Sequence, residues 1–412
     1  MTHHHHVVIK ALPMRAHLLK GGSAKQILAV DRARVQKLIA GHSPHGPAVK
    51  HNKALRAEVL AKKPFATAEA TSIDVTDAAV TYTIQVGVGS PATDYTLLID
   101  TGSSNTWVGA DKEYVKTSTS KDTRKTVQVS YGSGSFSGEE YTDKVALGDE
   151  LVIEQQGLGV AHTAQGFDGV DGILGIGPVD LTEGTVKGNQ PVPTVTDNLY
   201  TQGTIPTESI GISYNPTTGT GSSSNLMNGE LTFGGTDSSK LTGEITYVPI
   251  TSTSPASAYW GIDQSITYGN SETTILDTTA GIVDTGTTLL YLATDAFQAY
   301  QSATGATLDQ TTGLLKLSAS EYSNLQSLFF QIGGTTFEMT PNAQIWPRSL
   351  NSELGGDDDS IYLVAADNGQ DSGQGLDFIN GFVWLQRFYT IFDTTNSRVG
   401  VATTEFTDAE TN

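Results

Sequence analysis

Two short stretches decide the fold: Ile99-Asp100-Thr101-Gly102-Ser103-Ser104 and Val283-Asp284-Thr285-Gly286-Thr287-Thr288. Each aspartate follows an apolar run, Leu97-Leu98-Ile99 or Ala280-Gly281-Ile282-Val283, and precedes a glycine that permits a tight turn. Each therefore reads as a carboxylate at the tip of a buried strand. One copy is most often just a turn. Two copies, 184 residues or about one domain length apart, read as a duplicated architecture able to bring two aspartates of one chain into one site.

The composition agrees. The 412 residues suffice for two hydrophobic cores, and 37% apolar residues with 44 glycines predict many short strands and turns rather than helices. No apolar run approaches the roughly 20 residues of a membrane span. There is no cysteine, so disulfides, thiolate chemistry and Cys-based metal sites are excluded. Met1 to His6 reads as a tag remnant.

Charge divides the chain. Residues 1–68 carry 12 basic side chains against Asp31 and Glu58, a net +10; the remainder carries −30. An acidic body of that size repels phosphate, so nucleic acid is not expected, and the basic arm is read as binding its own body. Acid weakens such an attachment by protonating carboxylates.

Within the arm, residues 7–12 suit a strand. Ser23 suits the N-cap of a helix over 24–40, with Ile27, Leu28, Val35, Leu38 and Ile39 on its apolar side and Gly41 as terminator. From Gly41 to Ala70 a Pro-, Lys- and Ala-rich run reads as an exposed, cleavable connection. The body starts with a strand over 80–88. A Gly/Ser hairpin tip follows at Gly132 to Ser135, then the Gly-rich apolar segment Asp171-Gly172-Ile173-Leu174-Gly175, answered in the second half by Phe378-Ile379-Asn380-Gly381.

Two carboxyl groups a few ångströms apart do not easily both ionise, so one keeps a proton while the other stays an anion. Such a pair is acid and base together. It can activate a water between the groups, protonate a carbonyl oxygen, and hydrolyse a peptide bond without a covalent adduct. Ser103 and Thr287 stand three residues after each aspartate, placed to hydrogen-bond the outer carboxylate oxygens; Thr101 and Thr285 are placed to tie the turns together.

The motifs Ile99 to Trp107, Tyr131-Gly132-Ser133-Gly134-Ser135, Asp171 to Gly175, Val283 to Thr288 and Phe388 to Asp393 resemble those of pepsin-like aspartic endopeptidases in zymogen form, most closely the secreted fungal polyporopepsin type. The resemblance covers residues 7–412. It implies an all-β, bilobal pepsin-like fold of two related β-barrel-like lobes with a central sheet, preceded by a small α/β propeptide. The implied division is a propeptide over 7–69, an N-terminal lobe with flap over 70–244 and a C-terminal lobe over 245–412.

Carried over by residue, the resemblance makes Asp100 and Asp284 the catalytic pair, supported by Thr101, Gly102, Ser103, Thr285, Gly286 and Thr287. Tyr131 becomes the flap tyrosine, with Gly132 and Ser133 at the tip and Trp107 as its hydrogen-bond partner. Phe167, Ile173, Ile282 and Thr288 are candidate substrate-binding positions. A propeptide lysine pairs with both aspartates in the family; Lys50 fits that role here, with Lys53, Lys62 and Lys63 as rivals. The resemblance further implies polypeptide substrates cut beside large hydrophobic residues, pepstatin sensitivity, no cofactor or metal, no membrane partner, secretion, a monomer, and maturation near Ala68 to Ala70.

Two departures stand out. Phe382 takes a position that usually carries Asp, which changes local packing, and Ser133 takes a flap-tip position that is Asp in some fungal relatives, which predicts weak cleavage after Lys. A catalytically silent pepsin-fold binding protein is the alternative; loss of an Asp or its Gly would favour it, and both motifs are intact. A glycosidase uses two carboxylates as well, but has no special use for the doubled Asp-Thr-Gly.

Overall fold

The computed structural model describes residues 10–18, 24–41, 80–188, 190–216, 227–269, 273–357 and 359–412. Its first strand, β1 (Lys10–Leu18), buries Leu12 and Met14 and exposes Ala11 and Pro13, the period of two of a half-buried strand. The sequence predicts this strand over 7–12; it continues to Leu18 because partners flank its whole length. Residues 7–9, like Ser23, lie outside the described residues. Helix α1 (Ala24–Ala40) ends as predicted at Gly41, whose φ of 75° favours glycine and whose N–H donates to the Leu38 carbonyl at 3.0 Å.

The strands of the first half of the body are β2 (Val80–Val88), β3 (Thr93–Asp100), β4 (Thr106–Val108), β5 (Lys121–Ser130), β6 (Ser135–Ala146), β7 (Val152–Gln165), β8 (Gly172–Gly175), β9 (Ser209–Tyr214) and β10 (Met227–Phe233). The second half begins with β11 (Thr246–Pro249), β12 (Gly261–Tyr268), β13 (Thr273–Val283) and β14 (Leu290–Leu292). A 13-stranded sheet runs β11, Arg398–Thr403, Phe388–Asp393, β9, β10, β1, β2, β3, β8, β4, β7, β6, β5. It joins strands of both halves, and the arm's β1 fills a central place, antiparallel to β10 and to β2. A 7-stranded sheet of the second half contains β12, β13, Phe378–Asn380 and β14 as successive neighbours.

The duplication read in the sequence is a duplicated topology. β3 runs parallel to β8, with Ile99 opposite Leu174 and Asp100 opposite Gly175, and β4 returns antiparallel to β8. In the second half β13 runs parallel to Phe378–Asn380, with Ile282 opposite Ile379 and Val283 opposite Asn380, and β14 returns antiparallel. Each motif thus leaves its strand beside a parallel neighbour and loops back on that neighbour's other side. This all-β, two-lobed arrangement is the pepsin-like fold the resemblance implies. No helix among the described residues is long and apolar enough to cross a membrane.

Candidate active site

The two turns meet with near-twofold symmetry. Asp100 and Asp284 are fully buried. The Gly102 N–H donates to Asp100 Oδ1 at 3.0 Å and the Gly286 N–H to Asp284 Oδ1 at 3.2 Å. Ser103 Oγ donates to Asp100 Oδ2 at 2.5 Å and Thr287 Oγ1 to Asp284 Oδ2 at 2.6 Å. Across the junction, the Thr101 N–H donates to Thr285 Oγ1 at 3.0 Å and the Thr285 N–H to Thr101 Oγ1 at 2.9 Å, while Thr285 Oγ1 donates to the Ile99 carbonyl at 3.1 Å. Every hydroxyl singled out in the motifs has its partner.

The glycines are there for closeness. A Cβ on Gly102 would lie 2.6 Å from Asp284 Oδ1, and one on Gly286 would lie 2.7 Å from Asp100 Oδ1. Each turn passes under the other turn's carboxylate, and only a residue without a side chain permits it.

A cation sits on the pair, and it is Arg34. Its Nη2 donates to Asp100 Oδ1 at 2.5 Å and to Asp284 Oδ1 at 2.9 Å; its Nε donates to Asp284 Oδ2 at 2.8 Å. The planar guanidinium fork bridges both carboxylates with separate N–H groups. This corrects the expectation of a lysine: Arg34 takes the place assigned to Lys50, and Lys50, Lys53, Lys62 and Lys63 lie outside the described residues. Burial opposes charge on Asp284, but the charge and hydrogen bonds of Arg34, with those from Thr287 and Gly286, hold its carboxyl below the usual range. Arg34 is raised well above its ordinary value, the two aspartates outweighing its desolvation.

Helical spacing presents Arg34. Among the described side chains of α1, Ile27, Leu28, Asp31, Arg34, Val35 and Leu38 are the buried ones, one stripe at offsets of three and four. Sequence reasoning named the apolar members and passed over the two charged ones between them. A charge pair inside an apolar stripe was the available signal. Asp31 binds the far side of the second turn: its Oδ2 accepts the N–H groups of Thr288 and Leu289, each at 3.1 Å.

The flap closes over α1. A Cβ on Gly132 would lie 2.4 Å from the Ala33 carbonyl oxygen, and Lys37 Nζ lies 5.5 Å from the centre of the Tyr131 ring. Burial first, then Arg34, lowers Lys37 to about 8, against the pull of the two aspartates. Tyr131 packs with Trp107, Phe136, Phe167 and Ile173 in a cluster separate from the main core. Tyr131 and Trp107 are neighbours, their rings 6.5 Å apart; burial raises the Tyr131 hydroxyl well above its ordinary value, and the Trp107 side chain, within hydrogen-bonding reach, works against that rise. Ile282 is buried in the main core. Ser133 lies at the flap tip between β5 and β6. Phe382, at the departure from the usual Asp, packs its ring 5.1 Å from Tyr82. Among the described residues no cluster of metal-ligating side chains occurs.

Two buried carboxyls held together by hydroxyls and turn amides can share a proton once the cation leaves, and so act as acid and base on a peptide carbonyl and a water. The comparisons agree with that chemistry. Residues 81–404 match the family model described as eukaryotic aspartyl protease. The chain is 63% identical over 343 residues to polyporopepsin of Irpex lacteus, covering 83% of this chain and 99% of that protein. It is 28% identical over 405 residues to pepsin A of Gallus gallus, covering 94% of this chain and 98% of that one. The crystal structure of the aspartic proteinase from Irpex lacteus matches with a TM-score of 0.77 at 64% identity, over 81% of this chain and 96% of the other. With both Asp-Thr-Gly turns intact, the chain belongs to the eukaryotic aspartyl protease family and is an aspartic endopeptidase.

Proposed function

We propose that this chain is the latent form of the enzyme, in which the basic arm covers the catalytic pair until acid releases it. The observation that carries the reading is the Arg34 guanidinium bonded to both Asp100 and Asp284, because a pair neutralised in this way has neither a free base nor room for a water. The segment 7–69 is the propeptide, 70–244 and 245–412 are the lobes, and maturation falls near Ala68 to Ala70. Asp100 and Asp284 are the catalytic residues and Tyr131 is the flap tyrosine.

Arg34 is the main group that holds Asp284 low, against the burial of its carboxyl, and it does so while the arm is docked. Docking is therefore favoured above the free carboxyl's range and weakens as pH falls through it. Once open, the dyad hydrolyses polypeptides beside large apolar residues through an activated water, as a secreted, pepstatin-sensitive monomer. Ser133 at the flap tip supports weak cleavage after Lys, tested by trypsinogen activation at low pH; efficient activation would contradict it.

The main test is digestion of a denatured protein at about pH 3 to 4, with and without pepstatin, using the full chain. Pepstatin-sensitive cleavage that appears as the arm is lost is expected. Full activity at neutral pH with the arm attached overturns latency. Absence of any cleavage after arm removal favours a silent binding protein instead. Loss of self-processing in Asp100→Asn marks the removal as autocatalytic.

A further inference from the structure

A buried pair of amides clasps the strand that leads into Asp284. β13 lies between β12 and the strand Phe378–Asn380 in the second sheet. These two neighbours of β13 are tied to each other: Gln264 Nε2 donates to Asn380 Oδ1 at 3.1 Å, and Asn380 Nδ2 donates to Gln264 Oε1 at 2.9 Å. Both side chains are buried.

The first half of the molecule fills the same two places differently. There β3, the strand that ends in Asp100, lies between β2 and β8. Gln264 stands opposite Thr279 and Val86 opposite Tyr95, and Thr279 precedes Asp284 by the same five residues as Tyr95 precedes Asp100. Asn380 stands opposite Val283 and Leu174 opposite Ile99, the residues just before each aspartate. Val86 and Leu174 are apolar members of the main core. Two apolar side chains therefore suffice for this fold at these positions, and burying two amides instead gains little stability even when they pair. The exchange answers something other than packing.

Asn380 is where the second turn is gripped. Its carbonyl accepts the Asp284 N–H at 3.2 Å, and the next residues continue the grip, the Phe382 N–H donating to the Thr287 carbonyl at 2.8 Å and the Val383 N–H to the Thr288 carbonyl at 3.1 Å. Thr287 in turn gives its hydroxyl to Asp284 Oδ2. Only Ile282 with Ile379 and Val283 with Asn380 set the register of this parallel contact. Apolar contacts tolerate small slides; two directional hydrogen bonds in a buried site do not.

Resting on the assignment of Asp284 to the catalytic pair, we propose that Gln264 and Asn380 are positioning residues for the reaction: their amide pair fixes the Asn380 carbonyl and the segment after it, and through them the orientation of the Asp284 carboxyl and the hydrogen bond it receives from Thr287.

The test is steady-state peptide hydrolysis by the full chain after activation in acid, with melting temperature measured on the same preparations. Asn380→Leu or Gln264→Val alone leaves one amide buried without its partner and should lower both melting temperature and kcat. The double variant, Gln264→Val with Asn380→Leu, carries the residue pair of the first half. With no amide left unpaired, its melting temperature should return close to that of the unaltered chain. Its kcat should stay about tenfold low with KM changed less than about twofold. The acid limb of its pH profile should lie at higher pH, because a displaced turn gives the dyad weaker hydrogen bonds. Recovery of kcat and pH profile together with stability in the double variant reduces the pair to packing and overturns the proposal. Gln264→Met, similar in size and unable to pair, should show the same kcat loss and displaced limb if the double variant does not fold; an unaltered kcat and limb there overturn the proposal equally. Asp284→Asn should abolish hydrolysis. Activity that survives it overturns the assignment of Asp284, and the positioning role with it, whatever the amide variants do.

Discussion

At the scale of single residues, the site is a set of paired obligations. Thr101 and Thr285 each present an N–H and an Oγ1 to the other across the junction. Thr285→Val keeps the shape and leaves the Thr101 N–H buried without its acceptor, a loss of about 1 to 3 kcal/mol. Steady-state kinetics on the matured enzyme should show kcat reduced tenfold or more with KM changed less, since the turn and not the cleft is disturbed. An unchanged kcat would mean that the turns hold together without the threonines. Arg34→Gln removes the charge that two buried carboxylates face. Breaking a buried pair of this kind costs about 3 to 5 kcal/mol, so the arm should open, and pepstatin-sensitive activity should appear nearer neutral pH than in the unaltered chain. The dyad was legible because its motif is local and repeated. The partner of the dyad was not, because Arg34 is 66 and 250 residues from the two aspartates and no local rule connects such positions. Ring orientation around Tyr131 was not legible for a related reason: a motif gives neighbours, but orientation is set by Phe136 and Phe167 packing around them.

At the scale of elements, β1 and α1 anchor the arm in different ways. β1 is held by ladder bonds on both sides and by Leu12 and Met14 in the main core; α1 is held by its charges and its apolar stripe. Met14 is fully buried, and Met14→Ala should cost about 2 to 5 kcal/mol. Limited proteolysis at neutral pH should then cut the arm faster, with the body unchanged. Equal rates would show that the ladder alone carries the strand. The helix and its stop were readable from apolar spacing and Gly41. The strand's length was not, since its extension to Leu18 depends on β2 and on β10, which lies more than 200 residues further along the chain.

At the scale of the whole molecule, acid suits this body. Beyond the dyad, Glu208 is pushed up to about 8, by burial and by a hydrogen bond and charge from Asp197. Glu230 is raised by burial, with Asp237 adding to it. A carboxyl raised in the folded state contributes stability that is fully present below its unfolded value and is lost as pH rises through its folded value. Melting temperature should therefore fall between pH 5 and pH 9, and Glu208→Gln should flatten that fall. A profile as steep in the variant would place the loss elsewhere. The overall charge was legible as an acidic body with a basic arm, but these carboxyl pairs were not, because no helical or strand spacing rule brings Asp197 to Glu208 or Glu230 to Asp237.

The bridge from Arg34 to both aspartates also has an order in time. A chain made from its N-terminus carries Arg34 well before Asp100, and Asp100 well before Asp284. The arm's β1 is on hand when β10 and β2 come to flank it, and α1 is on hand when the second turn closes against the first. No stage of synthesis holds two catalytic carboxylates without their guanidinium. On the proposed latency, a cell producing this protein is shielded from the first moment the dyad exists, by a residue translated 250 positions earlier than the aspartate that completes it.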